Sequence, residues 1–336
     1  MYSLSQCTFF TDCKQIRNVS PFLIRPFGAP SPRGKAWLRR DAIPSPEGKA
    51  WRCVAWKKHS QNYRSDRETA MSIITKKQGA LEYLAAEGIL VPHGFTTRYG
   101  GVSTGAQASL NLASNKSDPM ENVEKNLRIL AAGMGFDPGK LVMTHQIHSD
   151  IVRPVTEADA IGLCHRDYPA CDGLVTDRPG VALLVFTADC TPLLFYDPVT
   201  GAVGAAHAGW RGTAADIAGK VVRAMAEHYG CDPGNIHAAI GPNIAQCHFE
   251  TDADVPRAML QAFGPQAEAY ILPKGEKFHV DLKGINALAL RRAGVGHIEI
   301  SDACTFCQSS RFWSHRVTRG DRGSQGAVIV CQGGNA

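Results

Sequence analysis

The stretch TADCTPLLFYDPVTGAVGAAHAGWRG, from Thr187 to Gly212, constrains this chain more than any other. PLLFYD and the preceding VALLVFTAD are short apolar runs bounded by turn residues, the pattern of buried strands. DPVTG reads as a turn into AVGAAHAG, so these pieces are expected to form a hairpin. Cys190 and His207 stand 17 residues apart beside these runs. A thiol and an imidazole placed at strand ends fit three readings: a metal site, a cysteine–histidine catalytic dyad, or two packed core residues.

The neighbouring segments supply the other elements. GALEYLAAEGI reads as a short helix ended by Gly88, and VPHGFTTRYGGVSTG as a strand followed by a glycine-rich loop. MENVEKNLRILAAGMG places Val123, Leu127, Leu130 and Ala131 on one helical face, with Gly133 or Gly135 as the stop. KLVMTHQIHSDIVRPV reads as a strand or bent strand pair. TAADIAGKVVRAMAEHYG is a helix, with Thr213 as N-cap, Asp216 as capping-box partner and Gly230 as stop. GNIHAAIGPNI and GAVIVCQ add strands. Strands and helices mix without a regular βαβ rhythm. The expected fold is therefore α+β: a single domain of mixed β-sheets covered by helices, spanning residues 71–336, behind a disordered N-terminal extension.

Residues 1–70 differ from the rest. PSPRGKAW at 30–37 recurs as PSPEGKAW at 44–51, and no period of 2 or 3.6 is sustained. A segment of this composition buries too little apolar area to offset its ordering entropy. It reads as a disordered basic leader, or as translated upstream sequence with Met71 as the true start. It holds 13 Lys and Arg against 5 Asp and Glu, a charge of +8 within a whole-chain charge of +5. The remainder is thus slightly acidic, and the basic balance is no argument for nucleic-acid binding. No run approaches the roughly 20 apolar residues of a membrane span. No signal-peptide core precedes Asp12 and Lys14, so a cytoplasmic location is expected. Eleven scattered cysteines fit a reduced compartment. Cys304 and Cys307 form a lone CxxC, a weak signal for zinc or redox work without a second pair, and two core thiols near a turn are the favoured reading. The sequence leaves the oligomeric state open.

His148 in THQIHSD joins Cys190 and His207 as a residue that could carry chemistry. Two imidazoles and a thiolate suit Zn²⁺, which keeps a fourth position open in catalytic sites. The separations of 42 and 17 residues match no short-range zinc motif. Arg98 in TTRYGG, Arg211 in GWRG and Arg316 in FWSHRVTRGDRG lie beside glycines, where a planar guanidinium suits an anion such as phosphate. Arg211 also precedes the Thr213 helix, whose free N–H groups favour an anion.

HGFTTRYGGVSTGAQASLNLA, QIHSD, CDGLVTDRPGVALLVFTADCTPLLFYDP, GAVGAAHAGWRGT and AAIGPNI resemble, in order, the successive blocks of the YfiH-type family, which carries the labels laccase domain, polyphenol oxidase and purine nucleoside phosphorylase. The resemblance spans roughly residues 78–331. It implies zinc held by His148, Cys190 and His207, with Arg98 and Asn111 around the same pocket. It implies purine nucleosides and phosphate as partners: phosphorolysis of adenosine, inosine, guanosine and methylthioadenosine, and deamination of adenosine. Some bacterial members are described instead as peptidoglycan editing factors. The chain departs from the family at Asn126-Leu127, where Asn-Arg is frequent, and at His315, which replaces a tyrosine.

Zinc lowers the pKa of water towards ~7, and such a water could attack C6 of adenine. No H-x-E motif includes His148 or His207, so Asp189, next to Cys190, is the candidate for moving protons. For phosphorolysis, Arg98 or Arg211 could hold phosphate as it approaches C1′. The rivals are a metal-free Cys190–His207 hydrolase, a zinc-stabilised binding module, and a multicopper oxidase. The last needs paired H-x-H ligands, and none of the 12 histidines lies two residues from another.

Overall fold

In the computed structural model, residues 72–334 are described, apart from 115, 116, 164 and 166; the expectation for residues 1–70 lies outside them. Fifteen strands form two six-stranded sheets and one three-stranded sheet among the described residues. The first sheet has the order β1 (Ile73–Gln78), β2 (Leu81–Ala86), β3 (His93–Thr96), β15 (Gln325–Val330), β7 (Ala182–Thr187), β4 (Leu141–Met143). The second has the order β14 (His297–Ile300), β10 (His237–Ile240), β8 (Thr191–Tyr196), β9 (Val203–Ala208), β6 (Gly173–Thr176), β5 (Val152–Pro154). The small sheet pairs β11 (Glu250–Thr251), β13 (Lys277–Val280) and β12 (Ile271–Lys274). β4–β7, β5–β6 and β10–β14 are parallel and the other pairs antiparallel, so the sheets are mixed, as expected.

The apolar runs are explained by what lies on each side of the second sheet. Leu174, Leu194, Val203, Ala205 and Ala239 face a core shared with the first sheet. Their neighbours Val175, Leu193, Phe195, Ala206 and Ile240 face a second core under helices. Alternate side chains thus enter different cores, and both faces must be apolar. Each leucine or phenylalanine so enclosed contributes roughly 1.5–3 kcal/mol. The second core is closed by α3 (Ile217–Tyr229), α4 (Asp254–Phe263) and α5 (Leu282–Arg292), through Val221, Met225, Met259, Ile285 and Leu290. α1 (Met120–Met134) lays Val123, Leu127, Leu130 and Ala131 against the first core and stops at Gly135 in the left-handed region. Two short helices, α2 (Trp210–Ala214) and α6 (His315–Thr318), complete the set.

β8 and β9 form the expected hairpin. Its turn is held by the Asp197 carboxylate accepting from the Val199 amide at 2.8 Å. Gly201 turns at φ 74°, and a Cβ there would strike the Gly333 backbone. Two expectations are corrected. Leu81–Ala86 is a strand, because a two-residue turn opening on Gly79 at φ 59° folds it onto β1, and ladder pairing overrides its helical propensity. The helix expected from Thr213 is two helices. Thr213 lies inside α2, whose N-cap is Gly209, and Asp216, itself in the left-handed region, caps α3 by accepting from the Gly219 amide. Arg211 therefore sits within α2 and does not precede a Thr213 terminus. Among the described residues no helix is long and apolar enough to cross a membrane.

Candidate metal centre

The three predicted ligands meet where the chain passes between the two large sheets. His148 lies in the loop that leaves β4 in the first sheet and enters β5 in the second. Cys190 lies in the three-residue link from β7 to β8, which makes the same crossing. His207 is on β9, where Thr191 pairs with Ala208, so the hairpin brings Cys190 beside it. The Cys190 Sγ and His148 Nε2 are 3.9 Å apart, and the His148 and His207 rings stand edge to face at 4.8 Å. One ligand atom from each of the three falls within 4.8 Å of the others.

Asp172 organises this trio. Its carboxylate accepts the His207 Nδ1–H at 2.8 Å and the backbone amides of Ile147, His148 and Ser149 at 3.2, 3.2 and 2.7 Å. The Ser149 hydroxyl adds a bond of 2.6 Å. With Nδ1 engaged by Asp172, Nε2 is the His207 nitrogen that would meet a metal on losing its proton, the arrangement of a metal-ligating histidine with its carboxylate partner. Burial raises the Asp172 carboxyl, but the hydrogen bonds from His207 and Ser149 outweigh it and hold it at about 2. Gln146 adds a clamp, accepting from the Phe186 amide at 2.7 Å and donating to the Phe186 carbonyl at 2.8 Å, which ties the His148 loop to β7.

Burial raises the Cys190 thiol too, yet the charge of His207 and hydrogen bonding to His148 and His207 lower it to about 6. His207 is pushed the other way, to about 9: burial alone would lower it, and Cys190 and Asp172 overcome that. A thiolate is therefore available at neutral pH. The donor set, two imidazole nitrogens and one thiolate, fits a divalent ion of the zinc class. Backbone shape follows the same purpose. His148 at φ 60° and Asp189 at φ 88° are both non-glycine residues in strained conformations beside the trio. Gly209 passes so close that a Cβ there would lie 2.8 Å from His148 Cδ2 and 3.3 Å from Cys190 Sγ.

The other expected site residues take varied places. Asp189 accepts the Thr305 hydroxyl at 2.6 Å on one oxygen and the Arg316 amide at 2.7 Å on the other. Arg98 donates to the carbonyls of Ala108 and Ser309 and lies 3.9 Å over the Trp313 ring. Asn111 is fully enclosed, donating to Asp118 at 2.7 Å and accepting from the Ser324 amide at 2.9 Å. Arg211 is exposed, its guanidinium 4.3 Å over Trp210. Sequence reasoning passed over Asp172, although CDGLVTD contained it, and Arg322, the arginine on which Asp189 and Cys190 act electrostatically. The Arg322 Nε donates to His315 Nδ1 at 3.4 Å, which brings the departing histidine to the same corner.

Comparison with known proteins gives consistent results. A family model described as "Multi-copper polyphenol oxidoreductase laccase" matches residues 92–332. A purine nucleoside phosphorylase of Deinococcus radiodurans is 40% identical over 249 residues, covering 74% of this chain and 92% of that protein. Purine nucleoside phosphorylase YfiH of Escherichia coli is 34% identical over 223 residues, covering 66% and 86%. The crystal structure of YlmD from Geobacillus stearothermophilus aligns with a TM-score of 0.73 at 34% identity, covering 77% of this chain and 99% of that one.

Proposed function

The chain belongs to the family described as multi-copper polyphenol oxidoreductase laccase, the YfiH family, and from that premise we propose that it is a zinc-dependent purine nucleoside phosphorylase. The observation that carries the reading is the trio His148, Cys190 and His207 with Asp172 behind it. The relatives named above supply the reaction. Adenosine, inosine, guanosine and methylthioadenosine are the proposed nucleosides, with deamination of adenosine as a side activity.

Zn²⁺ held by the three residues would supply a Lewis acid with one open position. The chain's own residues do the rest. Asp172 fixes the His207 tautomer and the backbone of the His148 loop. Arg322, on which the charges of Asp189 and Cys190 act and which donates to His315, is the guanidinium we assign to phosphate as it approaches C1′ of the ribose and the base departs. Arg98 and Asn111 serve as the frame behind it: Arg98 joins the 108 and 309 segments, and Asn111 holds Ser324, two residues from Arg322. Asp189, with both oxygens engaged by Thr305 and Arg316, acts by placing Cys190.

A second reading has its own observation. Cys190 lowered, His207 raised and Asp172 on the far nitrogen is also the order of a Cys–His–Asp hydrolase. One experiment separates the two. Zinc-loaded and chelator-stripped protein are each incubated with adenosine and inosine, with and without phosphate, and the products are resolved by HPLC. Phosphorolysis requires free base to appear only with phosphate and only in loaded protein. Arg322→Ala should then cut that rate by ~10²-fold while zinc content holds; Arg98→Ala should lower phosphorolysis and deamination together. Ester or amide hydrolysis by stripped protein, abolished by iodoacetamide, would establish the hydrolase instead.

A further inference from the structure

The lone CxxC does not hold two core thiols. Cys304 is buried and Cys307 exposed, and the fold brings Cys247 and His248 against them from about 60 residues earlier. We propose that Cys247, His248, Cys304 and Cys307 form a second metal site, which takes Zn²⁺ in a structural role.

The distances are those of tetrahedral ligation before the ion is added. Cys247 Sγ lies 3.7 Å from Cys304 Sγ and 3.7 Å from Cys307 Sγ. His248 Nδ1 lies 3.2 Å from Cys247 Sγ and 3.3 Å from Cys307 Sγ. All four ligand atoms fall within 4.8 Å of one another. A tetrahedral zinc with bonds of about 2.3 Å to sulfur and 2.0 Å to nitrogen needs S···S near ~3.8 Å and S···N near ~3.5 Å. A disulfide would need sulfurs at about 2.05 Å. The CxxC supplies one half of the ligand spacing common in zinc sites, the fold supplies Cys247 and His248 as the other half, and all four positions are filled by protein, as in a structural site.

The surroundings support the donors. The His248 ring is stacked on Phe306 at 4.0 Å and 16°, which fixes its orientation. Cys304 Sγ accepts the Ala245 amide at 3.4 Å, and Asn243 and Cys304 run as a parallel bridge, so the two segments are already in register. Three thiolates on Zn²⁺ carry a net charge of −1. The fully buried Lys283 donates to the carbonyls of Ser301 and Ala303 on the segment entering Cys304, so the one charge would offset the other.

This site would act on the first one by position. Thr305, inside the CxxC, holds the Asp189 carboxylate at 2.6 Å. Its amide donates to the Asn243 carbonyl at 2.9 Å, and Asn243 donates to the Thr191 hydroxyl at 2.8 Å. Asp189 and Thr191 flank Cys190 on both sides. A metal clasping the 247 and 304–307 segments would therefore hold the link that presents Cys190.

Metal analysis of the purified full chain tests this without substrate, so it stands or falls apart from the purine reading. Two zinc ions per chain are expected in the parent protein, one in Cys190→Ala, and one in Cys247→Ser/Cys307→Ser. Cobalt-loaded Cys190→Ala protein should show strong thiolate-to-cobalt charge-transfer bands, since its remaining site has three sulfurs. If the double variant fails to fold, the Cys190→Ala measurements decide alone. One zinc in the parent protein and none in Cys190→Ala would overturn the proposal, and so would a disulfide within the cluster in freshly prepared protein.

Discussion

Asp172 receives four hydrogen bonds from residues 147–149 and one from His207, so a single carboxylate fixes two of the three candidate ligands. Asp172→Asn keeps the shape but turns one accepting oxygen into a donating NH₂, which must then face an amide, the Ser149 hydroxyl or the His207 N–H. Zinc affinity, read by competition with a chromophoric chelator, should fall by about 10–100-fold; unchanged affinity would mean that the carboxylate serves folding alone. His93 poses a different question. It donates from Nδ1 to the Val91 carbonyl at 2.8 Å and accepts the Ala86 amide on Nε2 at 2.9 Å, so only the neutral ring fits. Burial is the main cause that lowers it to about 4. The folded state then binds fewer protons than the unfolded one between about pH 6.5 and 4. The stabilisation is complete above the unfolded value and is lost as pH falls through that window, on the order of 3 kcal/mol in all. Urea midpoints at pH 7 and 4.5 should differ less in His93→Gln than in the parent. The candidate ligands were singled out by the family resemblance; a thiol and imidazoles beside apolar runs had left a metal site, a catalytic dyad and core packing open. Asp172 was not, because its role comes from backbone amides of a loop some 25 residues away, and no residue type announces those.

The elements that position the site differ from their sequence signals where pairing or close approach decides. LEYLAA has good helix formers, yet β1 and β3 take it as a strand between them. The break between α2 and α3 was hidden because Asp216 caps from a left-handed conformation that asparagine and aspartate tolerate better than most. The MENVEKNLRILAAGM helix and the β8–β9 hairpin were legible, since period and turn chemistry there agree with the fold. Gly209, the N-cap of α2, is the element-level residue with the sharpest consequence. Its φ of −66° and ψ of 169° suit any amino acid, so its value lies in the missing side chain. Gly209→Ala would place a methyl 2.8 Å from His148 Cδ2 and 3.3 Å from Cys190 Sγ, and the ligands must yield. The far-UV spectrum should be retained while turnover drops by ~10²-fold, the size associated with misplacement by about 1 Å. A fully active Gly209→Ala protein would show that the trio tolerates movement and that its tight geometry is not required.

At the scale of the whole molecule, the candidate metal centre lies on a seam. The chain crosses between the large sheets at residues 144–151 and again at 188–190, and the first core is shared between their facing sides. Mixed sheets were expected from the absence of βαβ order. Their stacking was not, because a break of three residues at Ala188–Cys190 marks the end of one strand without saying that the next enters another sheet; the crossing is made by Asp189 at φ 88°. An ion held by His148 and Cys190 from the two crossings and by His207 from β9 would tie the seam that unfolding must open. Any ligand bound only by the native state stabilises it by RT ln(1 + L/Kd), with L the free ligand concentration, about 2.7 kcal/mol at 100 times Kd. For a domain of this size that corresponds to a rise of roughly 5–10 °C in Tm. Calorimetry of stripped protein titrated with Zn²⁺ should therefore show a larger shift in the parent than in Cys190→Ala. The difference between them isolates the seam from any zinc bound at Cys247, His248, Cys304 and Cys307. Equal shifts in both proteins would mean that the trio adds nothing to holding the sheets together. Its strained backbone at His148 and Asp189 would then be maintained by hydrogen bonds to Asp172, Thr305 and Arg316 without help from the ion.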